Sequence, residues 1–131
     1  MRKIKFRGKN ANATKEWVYG SLLGKGIIIT DNGDQIIVDE ETVAQYICDD
    51  CKGNEIYENS VVRWDSFYWG DSLEPAGAGV IKWEESYWYV QDSRGEFVDE
   101  IHSGNKWEVI GDIFEDQYKN DTGLNGIELV P

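Results

Sequence analysis

Apolar and polar positions alternate along most of the chain, the two-residue period of half-buried strands. Lys3–Arg7 alternates lysine, isoleucine, lysine, phenylalanine and arginine, which predicts a strand with Ile4 and Phe6 turned inward. Trp17–Leu23 reads as a second strand. Ile27–Thr30 and Gln35–Val38 flank Asp31-Asn32-Gly33-Asp34. An Asn-Gly pair between β-branched runs predicts a tight hairpin with both central residues at positive φ. Asp39 is placed to cap a short helix over Glu40–Ala44. The polar, turn-like stretch Cys48–Asn54 predicts a domain boundary.

Beyond it, short strands are expected at Val61–Trp64, Gly79–Trp83, Tyr87–Val90, Glu96–Val98 and Glu108–Phe114. The second and third of these form a hairpin across Glu84-Glu85-Ser86. Five short strands in so short a span suit a small SH3-like barrel. The expected architecture is therefore mainly β: a small N-terminal β domain with a short helix at 1–50, an SH3-like β-barrel at 55–116, and a C-terminal tail at 117–131. The tail is polar until Ile127, Leu129 and Val130, and is expected to dock on a neighbour. Between Trp64 and Gly79 lies a long loop with Phe67, Tyr68 and Trp69 in a row. Loops of this length without structure of their own are uncommon and often functional. Either the three rings extend the strand and bury on alternate faces, or they form a recognition surface, since aromatics dominate interface hot spots.

Six Trp, seven Tyr and four Phe among 131 residues supply ample area for a core. No run is long and apolar enough for a membrane helix, and the basic N-terminus lacks the apolar stretch of a signal peptide. A cytoplasmic location is the expectation. The formal charge of −12 is unevenly placed. Residues 1–25 hold seven basic groups against Glu16 alone, net +6, and the remaining residues are net −18. Two readings follow. The basic arm packs as a strand facing acidic groups, within the molecule or across a homo-oligomer interface; or it touches a phosphate backbone or an acidic partner. The acidic body would repel nucleic acid, which sets direct DNA binding behind the first reading.

Candidate chemistry is sparse. Cys48 and Cys51 form a Cys-x-x-Cys, but a closed zinc site needs four ligands, so only a site shared between two subunits would satisfy it. The aspartates between them disfavour the thiolate needed for redox work. Plain reduced thiols are the preferred reading. His102 stands in a polar loop with Ser103 and makes no triad. The acidic pairs Asp49-Asp50 and Glu84-Glu85 are expected to be solvated surface. No glycine-rich phosphate loop is present. No enzyme signature and no cofactor is expected.

Four collinear stretches resemble the YopX family, a group of small phage and prophage proteins. MRKIKFRG with EWVYGSL at Glu16–Leu22 is similar to the family's opening. DEETVAQY at Asp39–Tyr46 resembles "VDPETVGQY", GNEIYENSVVRW at Gly53–Trp64 resembles "KEIYEGDIV", and WEVIGDIFED at Trp107–Asp116 resembles "EVIGNIYENP". The family usually carries a polar stretch where Cys48 and Cys51 stand, so the pair inherits no role. Where the family has Gly-Asp, this chain has Asn59-Ser60. Asn tolerates a left-handed backbone, so the turn is expected to survive while the carboxylate is lost. The resemblance implies a small β fold and a phage or prophage source more than an activity. The expected function is a non-catalytic binding or assembly module for a host or phage protein. The alternatives are an acidic DNA mimic regulating a nucleic-acid-binding protein, and a carboxylate-dependent hydrolase.

Overall fold

A computed structural model describes residues 5–101, 103 and 106–115. The chain divides into two compact units, Met1–Tyr46 and Ile47–Pro131. Expectations for Ile4, His102 and the tail at 117–131 lie outside the described residues.

The first unit is an antiparallel meander. Strands β1 (Phe6–Lys9), β2 (Trp17–Leu22), β3 (Ile27–Ile29) and β4 (Gln35–Ile37) pair in chain order. Strand β5 (Ala44–Asp49) begins in this unit, where Gln45 and Ala44 pair with Phe6 and Arg7. The β3–β4 turn differs from the expected one. Gly33 takes φ +88, but Asn32 stays at negative φ. Thr30 closes the loop instead, accepting from the Gly33 amide and, through its hydroxyl, from the Asp34 amide. The expected helix is a single 3₁₀ turn, Glu40–Thr42. The Asp39 side chain does not cap it. Thr42 draws the chain in, donating its hydroxyl to the Asp39 carbonyl at 2.6 Å and accepting from the Lys9 amide at 2.8 Å.

The second unit holds the larger core. Strands β6 (Glu55–Tyr57), β7 (Ser60–Trp64), β10 (Gly77–Glu84), β11 (Tyr87–Asp92), β12 (Phe97–Glu100) and β13 (Glu108–Asp112) supply its frame. Five of them form an antiparallel sheet in the order β12-β11-β10-β7-β13. Among the described residues no pairing joins β12 to β13, so the closure expected of a barrel is not seen. Alternation along each strand sorts the side chains. Val62, Trp64, Ile81, Val90 and Val98 bury on one face with Ile47, Ile56, Ile101 and Trp107. Val61 and Val80 bury on the other, under Ile110 and Ile113. Bulges interrupt the register at Val90/Gln91 and Val109/Gly111, beside the two edge strands.

The loop after Trp64 has structure of its own, against expectation. Strands β8 (Phe67–Trp69) and β9 (Ser72–Glu74) make a hairpin across Gly70-Asp71. Gly70 at the first turn position takes φ +54, the arrangement that suits the natural twist of a two-residue hairpin.

Candidate functional site

The β8–β9 hairpin divides the three consecutive rings between its two faces. Register pairs Tyr68 with Leu73, so these two share a face, while Phe67 and Trp69 lie opposite Glu74 and Ser72 on the other. Tyr68 is 70% exposed and Leu73 56%. Phe67 is half-buried and packs edge-on to Trp107, centroids 6.3 Å apart. Trp107 is buried and meets Trp64 in a second edge-to-face contact at 5.6 Å. The Trp64 indole donates to the Pro75 carbonyl at 3.0 Å, fixing the chain where it leaves the hairpin. One face of the hairpin thus packs against the core, and the other is open to solvent.

A lysine completes the anchored face. The Lys106 ammonium stands 4.0 Å from the Phe67 ring centre, 5.8 Å from Trp107 and 5.9 Å from Trp69. It also pairs with Asp99 at 2.7 Å. Three rings and a carboxylate therefore surround one cation, each ring within the range of cation–π attraction.

Sequence reasoning missed a second aromatic group. Trp83 and Trp88 pair across β10 and β11 with centroids 4.7 Å apart, and Trp83 is 48% exposed. On the opposite face Tyr87, Tyr89 and exposed Phe97 form a row. The signal was present as Trp-Glu-Glu-Ser-Tyr-Trp-Tyr, whose alternation places rings on both faces.

The acidic pairs part company. Glu84 and Glu85 are exposed as expected, and Asp49 is exposed, but Asp50 is buried. Asp50 accepts from the amides of Lys52, Asn54 and Val109, each at 2.8 Å, and from the Asn54 side chain. Burial opposes its charge, yet these donors outweigh it and hold the carboxyl below its ordinary range. Asp92 repeats the pattern: burial opposes, and the Glu96 amide together with the Arg94 side chain and amide lowers its pKa. Glu58 goes the other way, raised by burial and partly offset by Lys82. Ser60 is buried and its hydroxyl accepts from the Tyr57 amide at 3.0 Å. Asn59 holds φ +69, so the turn keeps its left-handed residue and the position of the lost carboxylate caps a strand.

Cys48 is half-buried on β5 against the core, and Cys51 is exposed in the following turn. Among the described residues, no group of three or more His, Cys, Asp or Glu is arranged to hold a metal ion. In the first unit basic groups on and just before β1 lie over rings of β2. Arg7 sits 4.0 Å from the Trp17 ring centre, Lys9 is 5.1 Å from it, and Lys5 is 5.1 Å from Tyr19. Lys15 pairs with Asp39 at 3.0 Å.

The protein is mainly β, with a small meander, a five-stranded antiparallel sheet and a separate two-stranded aromatic hairpin. The family model described as YopX protein matches residues 4–118, and the chain belongs to the YopX family. No match to a curated protein or to a solved structure was found. No helix among the described residues is long and apolar enough to cross a membrane.

Proposed function

We propose that this chain is a non-catalytic protein-binding module of phage or prophage origin, working in the host cytoplasm on a host or phage protein. The observation that carries the reading is the open face of the β8–β9 hairpin, where Tyr68 and Leu73 stand exposed side by side. Apolar side chains held out by a hairpin that is itself pinned to the core have the character of interface anchors. Strand order supports a finer reading of the second unit as SH3-like: β13, β7, β10, β11 and β12 are neighbours in turn, and the hairpin interrupts the link between β7 and β10. A homo-oligomer fits the split between a basic start and an acidic remainder. The carboxylate-hydrolase reading draws less support, because Asp50 is committed to backbone amides.

The test is affinity capture from host lysate by the protein and by its Tyr68→Ser, Leu73→Ser double variant. Neither side chain supports the core, so the variant should fold and lose the captured partner. Equal capture by both would sink the hairpin reading.

A further inference from the structure

Lys106 occupies a place that another cation could fill. Its ammonium is ringed by Phe67, Trp69 and Trp107 and held by Asp99. The Phe67 and Trp107 planes meet at 81° and those of Phe67 and Trp69 at 52°, so the ring faces approach the cation from different directions. Such an arrangement recognises a positive charge with little regard for what carries it. We propose that Phe67, Trp69, Trp107 and Asp99 form a receptor for an arginine or lysine side chain of a basic partner segment, and that Lys106 fills it in the free protein and yields when the partner arrives. This inference rests on the protein-binding reading above and names the chemistry of the partner.

Charge complementarity points to a basic occupant. Residues 47–115 carry sixteen Asp or Glu against five Lys or Arg. Asp65, Asp71 and Glu74 lie on or beside the hairpin. The Lys106 side chain is 39% exposed, so it can swing into water without unpacking its surroundings. Arginine is the stronger competitor, because its planar and weakly hydrated guanidinium stacks on rings and meets a carboxylate with two parallel donors. The exposed Tyr68 and Leu73 stand on the far face of the same hairpin and supply apolar contact that a single side chain lacks.

The test is titration of the full chain with a Gly-Arg-Gly-Arg-Gly amide, read by calorimetry and by the indole N–H resonances of Trp69 and Trp107. Lys106→Ala empties the site and should bind the peptide about tenfold more tightly or better than the unaltered protein. Lys106→Arg fills the site more firmly and should bind it less well than the unaltered protein. Adding Asp99→Asn to Lys106→Ala should cancel the gain. The inference is overturned if Lys106→Ala binds no more tightly, or if the gain persists without Asp99. It is equally overturned if Lys106→Ala frees the β8–β9 amides to exchange without raising affinity, since Lys106 is then only a clamp. The readout is independent of Tyr68 and Leu73. Failure here with loss of capture in the Tyr68→Ser, Leu73→Ser variant would remove the cation site and leave the binding hairpin standing.

Discussion

Asp50 shows how one side chain can settle a local fold. Its first oxygen accepts the Lys52 and Asn54 amides, and its second accepts the Val109 amide from a strand far along the chain. Asp50→Asn leaves a single acceptor oxygen: if it keeps the turn amides its NH2 faces the Val109 N–H, and if it flips the NH2 faces the turn amides. Hydrogen bonds to charged groups contribute about 1.5–3 kcal/mol each, so a loss of roughly that size is expected in urea unfolding. The pH dependence follows from the lowered pKa. An acid whose folded pKa lies below its unfolded value contributes stability above the unfolded value and loses it as pH falls through the folded one. The Asn variant should therefore show a shallower fall of stability with acid than the unaltered protein. The residue was misread from sequence because Asp49-Asp50 looks like any solvated acidic pair. The better signal was Asp-x-x-Gly: Asp50-Cys51-Lys52-Gly53 and Asp92-Ser93-Arg94-Gly95 both place an acid at the start of a turn and a glycine, φ +87 and +84, at its end. Short acidic side chains bond their own following backbone in this way.

At the scale of elements, most strands were readable because β-branched runs are bounded by turn residues. The failures have identifiable causes. The 3₁₀ turn fell short of a helix because the Thr42 hydroxyl, bonded to the Asp39 carbonyl and the Lys9 amide, ties the segment to β1. The β8–β9 hairpin was taken for a loop because Ser72-Leu73-Glu74 offers one apolar side chain, too little to announce a strand. Only the register shows which rings anchor it and which stand free, which is why the aromatic triplet was found and its division was not. The long strand β10 depends on Gly79. A Cβ there would run into the Gln91 carbonyl of β11, and the Val90 side chain blocks retreat at 3.1 Å. Forcing atoms into packed space costs about 1–3 kcal/mol. Gly79→Ala is expected to lower stability by that amount, measured by thermal or urea unfolding, whereas Gly53→Ala should act through backbone strain alone, since nothing stands near its position.

Across the whole molecule, buried apolar groups are unequally shared. Among the described residues the first unit buries Ile28, Val38 and Ala44, while the second assembles a continuous core around Trp107. Family membership was readable because four stretches keep their order along the chain, and the sheet they frame is present. The cluster around Lys106 was not readable, because cation, carboxylate and rings come from β8, β12 and the residues just before β13, separated in sequence and joined only by folding. The grip of Asp50 on Val109 has one more consequence. Val109 lies on an outermost strand, and an outermost strand with free amides invites another chain to add itself. The carboxylate occupies one such amide and thereby acts as a stopper against growth of the sheet. The backbone donors hold the Asp50 carboxyl below its ordinary range, so it keeps its charge and its grip on Val109 further into acid than an unperturbed aspartate would. Light scattering during acidification should therefore rise late for the unaltered protein and at a higher pH for Asp50→Asn. One buried aspartate would then set the acidity at which a discrete molecule gives way to aggregate.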